Sequence, residues 1–382
     1  MERVARTSIM EHFEGLPDPR VDRTKRHLLL DIIVMTLVGV ICRCEGFDEI
    51  ADFAAARKDW FAEFLELPNG IPSHDTFARV FARLNPEAFS RSFLAWTQSL
   101  SNKSEGRVIA VDGKTLRHSF QSAHAYDPIH MVSAWVCDNH MVLGQMKVGD
   151  KTNEIKAVPL LLELLDLEGA IVTADAMSTQ KAIAHQIVEQ KANYVLPLKD
   201  NQPNLRADVE AYLEHVRHEQ FRDAQDSIIP HTTVQTRDND HGRLETRTCW
   251  ALECPDWVEG FQEWRGLRSI ACIESQRKID GVTTVEYRYF ISSLPPQAKV
   301  IAHAVRSHWG IENSLHWVLD QSFREDDSRI RKDHAPQNMA VIRHAAINLI
   351  KSNTLKRSVR RKMLLASIDE NYLRQVLFGE DN

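Results

Sequence analysis

The 382-residue chain has 43% hydrophobic and 26% charged residues, ordinary for a soluble globular protein, and is too long for a single core, so two or three domains are expected. Six cysteines without a pair of CxxC units exclude a disulfide scaffold and a zinc ribbon, and a net charge of −6 argues against a uniformly basic nucleic-acid binder. The charge is uneven, however: Ile301 to Lys362 holds 12 Lys and Arg against 6 Asp and Glu, and a local excess of this kind matters more than the total at a site that meets phosphates.

The opening residues, MERVARTSIMEHFEG, lack the apolar stretch of a signal peptide. Leu28 to Cys42 is strongly apolar but contains Asp31. It is also shorter than the roughly 20 residues a membrane span needs, so it predicts a buried core helix. The chain is therefore expected in the cytoplasm, with no membrane partner. GFDEIADFAAARKDWFAEFLEL and SHDTFARVFARLNPEAFSRSFLAWTQSL repeat apolar residues every three or four positions, and Ser73 after Pro72 marks a helix start. Residues 1–100 thus form a helical domain, either a helix-turn-helix reader of a DNA groove or plain helical packing. SLSNKSEG, residues 99–106, is a polar hinge.

From Arg107 the pattern alternates. Val108 to Val111 is a short continuous apolar run closed by Asp112, Gly113 and Lys114, which reads as a strand buried on both faces with Asp112 at its last position. Residues 130–138 and 141–149 form a hairpin about Asn139 and His140. A helix capped near Asn153 runs to about Leu167. The run Ala170 to Ala174 is a second buried strand ending at Asp175; a helix from about Ser178 and the strand 193–199 follow. The order β-β-β-α-β-α-β over residues 107–200 predicts an α/β mixed sheet flanked by helices. Residues 201–297 read as an inserted β-rich subdomain, being too long for a loop. Residues 298–382 return to helix and end in a basic tail.

Two buried strands that each deliver an aspartate suggest a carboxylate metal site. Glu312, in RSHWGIENSLHW, offers a third acid; Glu325 and Asp326, in FREDDSR, compete for that role. Asp after the first strand, Asp after the fourth and Glu on a late helix is the ribonuclease H-like arrangement. Carboxylate oxygens suit Mg²⁺ or Mn²⁺, and a pair of such ions activates a water or 3′-hydroxyl for attack on a phosphodiester. His308, Glu312 and His316 at i, i+4 and i+8 share one helix face; they contact DNA, orient Glu312 or hold zinc. Arg306, Arg324, Arg329, Arg331 and Lys332 flank that helix and can take phosphates. His241, Arg243, Glu245 and Arg247 alternate along HGRLETR, on either a DNA-facing ribbon or a salt-bridged exposed strand. Lys199, Asn201 and Gln202 follow the last core strand, within reach of a cleft. Lys351, Lys356, Arg357, Arg360, Arg361 and Lys362 form a basic run of the kind usually left in solvent.

The ordered set VDGKTLRHS, KTNEIKAVPLLLELLDL, TADAMSTQK, YVLPLKDNQ, HGRLETR and RSHWGIENSLHWVLDQSFREDDSR, with SHDTFARVF near the start, resembles the H-repeat-associated proteins, a family of bacterial insertion-sequence transposases with a DDE active site. The resemblance spans nearly the whole chain. It implies a ribonuclease H-like core, Mg²⁺ or Mn²⁺, double-stranded DNA as partner, cutting and joining at element ends, and a homodimer when the ends are synapsed. The DDE residues carry over to Asp112, Asp175 and Glu312. Related transposases place Tyr, Arg and Lys around the Glu where this chain has Val305, His308 and Leu319, which leaves phosphate contacts there to His308 and Arg306. The other readings are a dormant or domesticated relative that binds DNA without catalysis, a stand-alone metal-dependent nuclease, and a zinc hydrolase.

Overall fold

A computed structural model describes residues 8–100, 106–117, 119, 128–148, 154–219, 230–240 and 243–379. In chain order, the first six helices are α1 (Ser8–Glu14), α2 (Leu29–Ile41), α3 (Phe47–Ala56), α4 (Lys58–Phe61), α5 (His74–Arg83) and α6 (Pro86–Leu100). Next come β1 (Val108–Leu116), β2 (Ile129–Val136), β3 (Met141–Lys147), α7 (Glu154–Glu163), β4 (Ile171–Ala174), α8 (Lys181–Glu189) and β5 (Asn193–Leu198). The chain continues with α9 (Pro203–Glu219), β6 (His231–Asp240), β7 (Arg243–Glu253), β8 (Ser269–Ile279), β9 (Val282–Ser292) and α10 (Ala298–Ile311). A π-helical turn (Glu312–His316) leads to α11 (Trp317–Ser322), α12 (Ala335–Ser352), α13 (Val359–Ile368) and α14 (Glu370–Phe378).

The chain forms two compact units, each assembled from separated stretches. A helical unit holds Met1–Asn102, Gly113–Lys151 and Glu312–Asn382; a sheet unit holds Lys103–Asp112 and Thr152–Ile311. The chain changes unit four times, once inside β1 and for the last time where α10 ends.

In the sheet unit the strand order is β1-β4-β5-β9-β8-β7-β6. β1, β4 and β5 are parallel, with Val108↔Ile171 through Val111↔Ala174 in register, and β5 then pairs with β9 antiparallel. Val108, Ile109, Ala110 and Val111 are at most 1% exposed, which is why the run shows no polar alternation. The expected order of strands and helices over 107–200 is observed. The segment 201–297 opens with the 17-residue α9, and its four strands prolong the sheet. The apolar end of β9 (Tyr289–Ser292) pairs along β5, and so covers what would otherwise be an unpaired edge.

In the helical unit α12 is the centre. Fifteen of its eighteen residues are buried, and it packs against α2, α5, α6, α13, α14 and β3. The apolar stretch at 28–42 is the buried helix α2, as expected, and Ser73 stands at the N-cap of α5. Among the described residues no helix is long and apolar enough to cross a membrane. Polar residues of α12 close backbone groups that would otherwise be unpaired. Asn338 Nδ2 donates to Phe81 and Leu84 carbonyls at the end of α5. Asn348 clasps Val142 of β3, donating to its carbonyl and accepting from its N–H, each at 2.9 Å. The basic run is only partly in solvent: Lys362 is buried and donates to the carbonyls of Ile350 and Asn353 at the end of α12, and Lys351 lies over the Trp135 ring. β2 and β3 form the expected hairpin, with His140 in the left-handed region at φ 55°.

Asn348→Ala strands both backbone groups of Val142 away from water, so it is expected to cost about 2–4 kcal/mol in urea unfolding. A loss under about 0.5 kcal/mol would show that the clasp does not hold β3 to α12.

Candidate active site

Asp112 is not the end of its strand: β1 runs on to Leu116, beside β2. The parallel pairing with β4 does end there, at Val111↔Ala174, because β4 stops at Ala174. Asp112 and Asp175 are therefore the first residues beyond the last paired positions of two neighbouring parallel strands. Such strands lie about 4.8 Å apart, so the backbones of the two aspartates occupy neighbouring positions. They do so at the carboxyl ends of parallel strands, where open α/β sheets bind ligands. Both residues are partly buried.

The turn after Asp175 is held from several sides. Asp175 Oδ1 accepts the Ser178 N–H at 3.0 Å. Asn201 Nδ2 donates to the carbonyls of Ala176 and Thr179, Gln202 Nε2 donates to that of Thr179, and Thr179 Oγ1 donates to Pro197 O. Asn201 and Gln202 are thus braces of the Asp175 turn. Lys199, one residue beyond β5, is exposed.

His308, on α10, is within 3.1 Å of Thr173 Oγ1 on β4. Burial pushes its pKa down to about 4 against the pull of the Asp175 carboxylate, so the imidazole is neutral at pH 7. Arg306 and Arg247 converge on Asp238, at 3.8 and 2.5 Å, and Arg247 also pairs with the buried Glu245, which holds Arg277 as well. Arg247 is thus ion-paired on both sides. Arg243 lies in β7, where its backbone alone is described, and His241 falls outside the described residues.

Glu312 begins the π-helical turn and is exposed. α10 stops at Ile311, and Glu312 opens a π-helical turn that ends at His316. His316 is partly buried, close enough to His344 to influence its charge. Among the described residues no group of three or more His, Cys, Asp or Glu stands ready as a metal cluster. The two aspartates are the carboxylates that the sheet unit itself brings together.

Glu325 and Asp326, the competing third acids, have other work. Lys114 Nζ meets Asp320 at 2.6 Å, Glu325 at 2.9 Å and Asp326 at 3.3 Å, and Arg117 pairs with Asp326 at 3.2 Å. Glu325 is 4% exposed and faces Arg343 as well, at 3.5 Å. Burial pushes the Glu325 carboxyl up, but the charges of Lys114 and Arg343 outweigh it and hold the group below its ordinary value. Glu325 is therefore an internal counter-ion and is not free to take a metal. Sequence reading missed Lys114; the hint was the charge-dense FREDDSR stretch, whose acids needed a partner. Arg324 is exposed and pairs with Glu45 and Asp327, and Arg329 is exposed.

Lys114→Met would leave Glu325 short of a counter-charge, and the expected loss is about 3–5 kcal/mol of unfolding free energy. His344, in the same cluster, is pushed down by burial to about 4. Its unfolded pKa is near 6.5, so the unfolded chain takes a proton first and stability falls as pH drops from about 6.5 to 4, by about 1.4 kcal/mol per unit. Urea unfolding between pH 7 and 4.5 is expected to show a shallower acid loss in His344→Gln than in the wild type; equal slopes would refute the buried neutral imidazole.

Residues 10–97 match the family described as DDE_Tnp_1-associated, and residues 103–349 match the transposase DDE domain. The chain is 37% identical to the "H repeat-associated putative transposase YhhI" of Escherichia coli (strain K12), over 97% of this chain and 98% of that protein. It is 38% identical to the "Putative transposase YncI" of Escherichia coli O157:H7, over 97% and 94%. A shorter relative, "Inactive transposase YbfQ" of Escherichia coli (strain K12), is 39% identical over 20% of this chain and 89% of its own length.

Proposed function

The chain belongs to the DDE transposase family, and from that premise we propose that it cleaves insertion-sequence DNA ends and joins them to target DNA in a metal-dependent reaction on a ribonuclease H-like core. The observation that carries the reading is the adjacency of Asp112 and Asp175 beyond the last paired residues of β1 and β4. Hard carboxylate oxygens fit Mg²⁺ or Mn²⁺; Asp112 and Asp175 would hold it, with Glu312 as the third ligand. When bound, such ions supply the activation of a water or 3′-hydroxyl and the stabilisation of the leaving oxygen. The protein's share is positional. The β1–β4 register fixes the two aspartates, the Ser178 N–H orients one Asp175 oxygen, and neutral His308 adds no positive charge beside it. DNA contacts are assigned to Lys199, His241, Arg243, Arg247, Arg306, His308, His316, Arg324 and Arg329, and the synapsed form to a homodimer.

A relative named as inactive gives specific weight to a second reading, a dormant DNA-binding protein. The separating experiment is nicking and strand transfer on DNA carrying the flanks of this gene, with Mg²⁺, Mn²⁺ or EDTA. Asp112→Asn and Asp175→Asn are expected to lower the metal-dependent cutting by at least about a hundredfold, since each lost tenfold is only about 1.4 kcal/mol of transition-state binding. End binding should persist. Wild-type protein that binds ends without cutting supports the dormant reading; cutting without end specificity or joining supports a stand-alone nuclease; wild-type rates in both variants would refute the site.

A further inference from the structure

In the helical unit two adjoining hollows share Glu45, Phe323, Arg324 and Arg343 and together make one groove, the larger hollow about 670 Å³. Arg43 and Arg360 line one end, Arg329 and Arg331 the other, and Arg324 stands between them. No lysine lines either hollow. The acids on the walls are Glu45 and Asp327, both paired to Arg324. Among the described residues Arg43, Arg329 and Arg360 have no carboxylate partner. The groove is thus a local surplus of guanidinium in a chain whose net charge is −6.

A second, independent observation concerns the backbone. Arg43 has φ 74° and Arg324 φ 49°, the left-handed region in which a β-carbon is disfavoured and glycine sits freely. Both strained arginines line this groove, one contributed by the turn after α2 and the other by the turn before residue 325. They are two of seven non-glycine residues with positive φ among the described residues, and at both the arginine side chain is carried at the cost of some local strain.

We propose that this groove binds the phosphodiester backbone of duplex DNA, an inference that rests on the transposase reading. Planar guanidinium forks match phosphate oxygens two by two, which a lysine ammonium cannot do, and an all-arginine lining follows from that requirement. The cations are also spread along a groove rather than gathered at one point, as repeating phosphates along a strand demand and a single small anion does not. The contacts carry no base information, so the groove anchors the duplex without reading it.

The test uses full-length protein and a labelled 30-base-pair duplex of arbitrary sequence, with anisotropy read from 50 to 300 mM salt. Arg43→Gly, Arg324→Gly and the double variant remove the charge and relieve the backbone together, so melting temperatures should hold or rise. Affinity should nevertheless fall by about eightfold per lost contact at 0.1 M salt, and the slope of log K against log salt should flatten by about 0.9 per contact. Weaker binding in a protein at least as stable cannot be a folding artefact. A double variant with wild-type affinity and slope would overturn the groove while leaving the transposase reading intact, as would unchanged DNA binding with loss of binding to poly-aspartate, which would assign the groove to an acidic protein. Wild-type protein without affinity for duplex at 50 mM salt would refute the transposase reading itself.

Discussion

The register of β1 on β4 is the constraint from which the candidate site follows. Four in-line pairs, Val108↔Ile171 to Val111↔Ala174, fix which residues come next on each strand, and those residues are both aspartates. A slip of one position would turn one carboxylate to the opposite face of the sheet. The register is secured by apolar burial on both faces: the eight side chains of the four pairs are 4% exposed or less. Two acidic groups can be held close only where such packing outweighs their mutual repulsion, and the fold places them at the point where that packing stops.

Charge burial organises the helical unit in a similar way. Lys114 follows Asp112 by two residues and ends among Asp320, Glu325 and Asp326, while Arg343 of the central helix approaches Glu325 from the other side. The cluster ties the second half of β1 to α12 and to the turn before it by ion pairs that tolerate little displacement. Buried pairs of this kind add less to stability than their distances suggest, because desolvation opposes them; what they impose is a single arrangement.

Much of this was legible in the residues. The unbroken apolar runs ending in Asp112 and Asp175 announced buried parallel strands, because nothing but burial on both faces removes alternation. The hairpin at Asn139–His140, the buried helix at 28–42 and the order of elements to residue 200 were readable for equally local reasons. What failed was long-range. That β9 would return to pair with β5 depends on an edge the local pattern of 201–297 does not show. The π-helical turn at Glu312–His316, where α10 ends, carries no local sequence signal of its own. The other engagement of Glu325 and Asp326 needed the position of Lys114, 211 and 212 residues away in sequence. The placement of Glu312 remains a sequence assignment, since it begins the helical unit whereas the aspartates close strands of the other.

The central place of α12 has a consequence for how such a gene decays. Helices α2, α5 and α6 and strand β3 pack on α12, which is translated only near the end of the chain. A frameshift or early stop upstream of residue 335 therefore does more than remove a terminal segment: it deprives the amino-terminal helices of the apolar surface that buries them. The shortened product would be left with exposed core residues and subject to proteolysis. Loss of the late helices silences the whole polypeptide at once, so a broken copy is expected to disappear as protein rather than survive as an inhibitor of intact copies.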